Sequence, residues 1–421
     1  MLSDLSEKDA SSLNAVSDSG IEDSSSTSDT GIVIWRYFCW AVYLNIIFFL
    51  LGVLVNIPGG PILGVVSFFI VFLFGIMTHK ISFDFSRSAL LYWFYLVVPL
   101  VIGMSLYQND FITVFGLFVK YFTYVFFFMI ISSQHFDRLP WDDFRNSKYL
   151  IGLLIFLSMS VWYAPYIGCN QLEYYAEIAD VRPSGFFKNC NIVVPIVFLL
   201  FFMIPQKKKI VSGIIALCSI LVLLRVNSNT AYLAFALSAM YYFVFVMKKY
   251  VYALFFLFVA VIFVVYFNDR FLIQVEHAAY SLDAISTDTV NYALYGNESS
   301  FIWRLTYWLR ISKTFLGGSL LQILFGNGLG ASLIDFGILP HNEYLRLLYE
   351  EGLIGITLFF SIAIGLFRRL SSKGRILFIC YAVFIFSENT FDTFFAFMIF
   401  LILISYDVAC NKASPNENTA D

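Results

Sequence analysis

Long apolar runs constrain this chain more than any motif in it. Segments near 36–55, 62–78, 89–107, 111–132, 149–167, 191–205, 210–226, 231–247, 251–267, 352–367, 376–387 and 392–409 carry little or no charge. A helix needs roughly 20 apolar residues to cross about 30 Å of hydrocarbon. In lipid, only helices and closed barrels satisfy their own backbone polar groups. Runs this frequent predict an all-α integral membrane protein with about twelve transmembrane helices. Several runs are shorter than a full span, and 376–409 reads as two short helices meeting at Ser387-Glu388-Asn389. Composition agrees with this reading: 60% of residues are hydrophobic and 13% charged, against about half and a quarter in soluble domains. No large soluble domain fits between the runs, and nothing suggests a nucleic-acid partner.

Residues 1–30 differ in kind, with ten Ser, seven Asp or Glu and one Lys. Such a segment cannot bury a core and is expected to be a disordered acidic tail. It has neither the basic start nor the apolar centre of a signal peptide, so the first span is expected to act as an uncleaved insertion signal. Placing the tail on the cytoplasmic side puts THKISFDFSRS, QHFDRLPWDDFRNSK, QKKK, KKY and RRLSSKGR inside, with fourteen Lys or Arg among them. The outer connections NIPGGP, YQND and SENTFD have no basic residue. Charge therefore alternates along the chain as the positive-inside rule requires, with both termini cytoplasmic. The resulting organisation is nine spans in 31–267 with an outer loop at 168–190, a large outer connection at 268–351, three spans in 352–410, and a short inner tail at 411–421.

Two outer connections keep basic residues where insertion disfavours them. The first holds Arg182 and Lys188; the second holds Arg270, Arg304, Arg310, Lys313 and Arg346. Arg225 sits at the outer end of the seventh run. Charges retained there are candidates for binding an anion, or they are ordinary surface charge. Of four His residues, His79 and His135 fall inside, and His277 and His341 outside. No pair has metal-ligand spacing, so no protein-held metal is expected. His341 follows Pro340, which suits a helix start, and is placed in the first turn of a short interfacial helix. A histidine there serves either as a general base or as a plain helix-end hydrogen-bonder. Arg346 and Glu350 have the spacing of an i,i+4 pair. Cys169 and Cys190 share the first outer loop and are either a disulfide around Arg182 or two free thiols. Lys120 lies mid-run, as a functional charge or one that snorkels. Glu388 and Asp392 flank an outer turn, facing the same cavity as His341 or simply the interface.

GNGLG followed by PHNEYLRLLYEEGLIG resembles the glycine turn, His-Asn pair and Glu-Gly-Leu helix entry of the O-antigen ligase and polymerase superfamily of bacterial surface-polysaccharide enzymes. SSFIWRLTYW places Arg304 at that family's Arg position ahead of a Trp, and RPSGFFKNCN is similar to its earlier outer loop. RVNSNTAYLA departs from the pattern: Asn229 stands where the family often has Arg, and Arg225 is suggested to supply the charge instead. The resemblance covers roughly 180–360 by motif. It implies a GT-C-like fold in a bacterial inner membrane, with 268–351 as a periplasmic loop carrying short helices. It also implies a glycan donor on undecaprenyl diphosphate, and a glycan or lipid A-core as acceptor. The catalytic residues would be His341 as base, Asn342 orienting the imidazole or acceptor, and Arg304. Arg182, Arg225, Arg304, Arg346 and Lys188 would bind the diphosphate-linked substrate. No cofactor is implied; a chain-length regulator and a flippase of the same pathway are expected partners, besides membrane lipids. RPSGFFKNCN favours a polymerase over a ligase. A flippase for the same lipid is a further reading, disfavoured because charge concentrates in loops rather than spans.

Overall fold

The computed structural model describes residues 24–54, 87–131, 147–167, 185–187, 192–203, 209–226, 228–255, 300–389 and 393–413, with a few isolated positions between them. Among these residues the chain is all helical. α1 spans Ser24–Leu54, α2 Arg87–Tyr95, α3 Val97–Leu106, α4 Phe111–Ile131, α5 Lys148–Tyr163, α6 Val193–Phe202, α7 Lys209–Val226 and α8 Asn229–Tyr241. α9 spans Ser300–Leu316, α10 Leu320–Phe325, α11 Ala331–Phe336, α12 Glu343–Arg369, α13 Ser372–Ser387 and α14 Phe394–Ala413.

The expected span near 62–78 lies almost wholly outside the described residues, and that near 251–267 is described, as helix, only over 251–255 and 257–258. Each of the others coincides with helix. Two helical stretches, Arg87–Leu106 and Glu343–Arg369, are long and apolar enough to cross a membrane by themselves, and shorter apolar helices such as Lys148–Tyr163 and Phe394–Val408 accompany them. α1 begins at Ser24, so residues 24–30 of the expected tail are helical; the remainder of the tail lies outside the described residues.

α14 is the axis of the bundle. Its sequence FFAFMIFLILIS is apolar all round, and Phe394 to Ser405 are buried on every face, as such a helix must be. α1, α4, α6 and α13 pack around it, α5, α6 and α7 pack on one another, and α8 lies along α13. α2 runs on into α3 through Leu96, which keeps helical dihedrals of φ −56° and ψ −21°; the bond missing there is the one that Pro99, without an N–H, cannot give the Tyr95 carbonyl. Their Leu91, Phe94 and Val101 side chains are about 60% exposed at the bundle surface, as suits a lipid-facing side.

Residues 300–342 form a separate cap. α9, α10 and α11 pack on the start of α12 around their own small core of Tyr307, Ile311, Phe315, Ala331 and Tyr349. The cap is fastened by backbone contact. Gly328 comes so close to α3 that an added Cβ would sit 2.4 Å from Gly103 N, and Leu329 N–H donates to the Pro99 carbonyl at 2.9 Å. This is what the GNGLG turn does: it lets the cap lie directly on a helix backbone. α12 kinks at Gly352, whose φ is 70°. The kink frees two carbonyls, and Asn327 N–H and Gly328 N–H donate to them, at Tyr349 and Glu350 respectively.

Candidate functional site

Three elements converge at the top of α13. α9 brings Arg304, the turn before α12 brings His341, and the end of α13 brings Glu388. Arg304 Nη2 donates to Glu388 Oε1 at 2.7 Å, and His341 Nδ1 lies 3.2 Å from Glu388 Oε2. One carboxylate thus serves residues from two other segments. Its side chain is 1% exposed, Arg304 14% and His341 22%. A carboxylate sealed this far from water needs paired charge, and the arginine supplies it. Because a carboxylate only accepts, Nδ1 carries the hydrogen of this bond. Among the described residues, the buried Arg304 Nε atom meets no hydrogen-bond partner.

His341 does not lie in a helix. Its φ is 50°, in the left-handed region, and α12 starts at Glu343. The expectation that Pro340 opens a helix with His341 in its first turn is corrected here. Asn342 is the N-cap, because its Oδ1 accepts from Leu345 N–H at 3.0 Å. The Asn342 side chain is buried, with its Oδ1 holding the helix start.

Arg346 differs from the expectation as well. Its side chain is 1% exposed and lies between Glu343 Oε2 at 3.4 Å and Glu350 Oε1 at 3.3 Å. Ser332 Oγ donates to Glu350, and Phe391 N–H donates to Glu343 Oε1 at 3.3 Å. Arg346 is therefore spent on two internal carboxylates and does not present itself to substrate. It clamps α12 to α11 and to the loop that follows Glu388. Arg225 ends α7, exposed, with its guanidinium 5.1 Å from the Trp162 ring centre on α5. Lys120 is partly exposed on α4. Arg182, Lys188, Arg270, His79, His135, His277, Cys169, Cys190 and Asp392 lie outside the described residues.

Beside the turn, Tyr307 donates to the Ile338 carbonyl and Trp308 Nε1–H to the Pro340 carbonyl at 2.6 Å. Burial pushes the Tyr307 phenol up to about 12, so it is a donor at neutral pH. From Tyr344, one turn into α12, an apolar cavity of about 570 Å³ follows that helix as far as Arg368. Tyr121, Phe128, Phe359, Phe391 and Phe400 are among its walls. Among the described residues, no group of three His, Cys, Asp or Glu is arranged to hold a metal ion.

Sequence reasoning singled out His341 and Arg304 and left Glu388 open, either facing the same cavity as His341 or lying simply at the interface; the structure puts it against His341. A carboxylate interrupting two apolar runs is a functional signal in itself. Tyr307 and Trp308 gave no signal beyond adjacency to Arg304.

No curated protein matches the chain. Residues 214–360 match the family model described as O-antigen ligase (Wzy_C), a stretch that contains α8, the cap with Arg304, and the His341 turn. Over residues 214–360 the chain is therefore similar to the O-antigen ligase family, and its all-helical architecture with apolar helices is consistent with a membrane protein.

Proposed function

We propose that the protein joins a glycan carried on undecaprenyl diphosphate to a sugar hydroxyl at the periplasmic face of a bacterial inner membrane. The observation that carries this reading is the Arg304–Glu388–His341 cluster. The acceptor oxygen attacks the anomeric carbon of the donor, its proton passes to His341 Nε2, and the bond from that carbon to the diphosphate oxygen breaks. Glu388 holds the imidazole and balances the imidazolium that forms. Negative charge grows on the departing diphosphate, and Arg304 stands where a guanidinium can meet it. Arg182, Lys188 and Arg225 are proposed to assist. The apolar groove along α12 takes the polyprenyl chain. The alternation of basic residues supports cytoplasmic termini and an outer site.

The proposed product is polymer on the lipid carrier, so the enzyme is a polymerase that works beside a flippase and a chain-length regulator. The family description favours a second reading, a ligase whose acceptor is lipid A-core. Cells lacking the protein, complemented with wild type or His341→Ala, decide between them on a polysaccharide gel. Core bearing a single repeat in the deletion, with a ladder restored by wild type alone, supports the polymerase. Bare core with polymer retained on the carrier supports the ligase. Full restoration by His341→Ala overturns both.

A further inference from the structure

The backbone at His341 is held in an unfavourable conformation. A side chain with φ of 50° crowds its own carbonyl. Such a conformation persists where the surroundings over-determine it. Its neighbours leave little slack: Pro340 has a fixed φ, and Asn342 must stay extended, at φ −156° and ψ 101°, to cap α12.

α9 grips this turn at two points, through Tyr307 on the Ile338 carbonyl and Trp308 Nε1–H on the Pro340 carbonyl. Trp308 and Arg304 are four residues apart, on one face of α9. The contacts therefore close a circuit. Arg304 reaches Glu388, Glu388 reaches His341, the chain steps back to Pro340, and the Pro340 carbonyl returns to Trp308. In a closed circuit, the guanidinium and the imidazole are placed by the same helix, so their separation is set once for both.

We propose that Trp308 is a positioning residue, seconded by Tyr307: its indole N–H holds the Pro340 carbonyl and so fixes the left-handed His341 backbone that aims Nδ1 at Glu388 and leaves Nε2 toward the acceptor. This rests on the reading of His341 as the base. Trp308 also packs edge-on against Phe386, with ring centres 5.3 Å apart, so packing and hydrogen bonding must be separated.

The test uses the full-length protein in membranes, with undecaprenyl-diphosphate-linked glycan extracted from the source cells as donor. Trp308→Phe keeps an aromatic ring and removes the N–H. Its turnover is expected to fall about tenfold, the size of one lost hydrogen bond, with the donor KM unchanged. Tyr307→Phe is expected to lose turnover less, also at constant KM. Phe386→Leu removes the ring contact and keeps the hydrogen bond, and is expected to retain wild-type turnover. Wild-type turnover in Trp308→Phe overturns the proposal, as does an equal loss in Phe386→Leu. Should Trp308→Phe not accumulate as folded protein, Tyr307→Phe decides: a severalfold fall in turnover at constant KM supports the clamp, and no fall overturns it. His341→Ala is run alongside. If it is active, the functional reading fails; if it is inactive while Trp308→Phe is fully active, only the clamp fails.

Discussion

Glu388 is a buried carboxylate bound by Arg304 and His341, and Arg346 is a buried guanidinium bound to Glu343 and Glu350, yet the two serve different ends. Glu388 faces groups that keep some exposure, Arg304 and His341; Arg346 faces Glu343 and Glu350, which have essentially none. Glu388→Gln keeps the shape and removes the charge that holds the imidazole. Turnover is expected to fall at least tenfold while the protein stays folded, since Arg304 retains a path to water; an in vitro transfer assay and size-exclusion profile check this. Arg346→Leu leaves two carboxylates sealed without a counter-charge. Breaking a buried pair in this way costs about 3–5 kcal/mol, so little folded protein is expected by fluorescence-detected size exclusion. Arg304→Lys keeps a counter-charge on Glu388 and removes the forked guanidinium, so it should give the opposite result, a normal profile with activity reduced at least tenfold. The sequence could not separate the two arginines, since both are basic residues in one outer connection. Spacing revealed the Arg346–Glu350 pair, but its burial depends on α11 and on the loop after α13. For Glu388 the sequence left two placements open, facing the same cavity as His341 or the interface, because its partners are 84 and 47 residues away in the chain.

At the scale of elements, the site depends on a kink in α12. Gly352 takes φ 70°, and the carbonyls of Tyr349 and Glu350 turn to receive N–H groups from the glycine turn of the cap. The entry to this span was legible, because Glu350-Glu351-Gly352 ends a polar stretch. The kink was not, since a glycine followed by apolar residues reads equally well as a straight helix. Gly352→Ala meets two penalties. The left-handed backbone costs about 1–2 kcal/mol for a side chain, and the new Cβ would lie 2.4 Å from the Leu324 carbonyl oxygen. The cap should loosen on α12, with a drop in melting temperature and loss of activity. Gly365, in the same helix, has open space around its Cβ position. Gly365→Ala is expected to be neutral or to stabilise by up to about 1 kcal/mol. Melting curves of the two variants in one detergent test the contrast; equal shifts would mean that the kink is not structurally required.

Across the whole molecule, hydropathy told which segments are helices but not which faces leave a gap. The groove arises because α12 stands off from α4, α13 and α14, and that spacing is a property of packing between distant segments. It runs from Tyr344 to Arg368, about 36 Å of helix at 1.5 Å per residue, which is long enough to follow a lipid chain across the hydrocarbon layer. The Arg304–Glu388–His341 cluster lies beside only one end of it. Chemistry and carrier recognition should therefore separate by mutation. Ala363 lines the groove on α12, well below His341 in the helix. Ala363→Phe fills part of the groove and leaves Arg304, Glu388 and His341 untouched. Each methylene kept from lipid contact costs about 0.8 kcal/mol of binding, so losing two to three of them raises the KM for an undecaprenyl-linked donor by roughly tenfold to a hundredfold, with little change in turnover. A donor with the same glycan on a short farnesyl chain does not reach Ala363 and should show no such rise. Assaying both donors against both proteins gives four KM values. An equal rise for long and short chains would place the defect in the site itself, and no rise for either would show that the carrier lies elsewhere on the bundle.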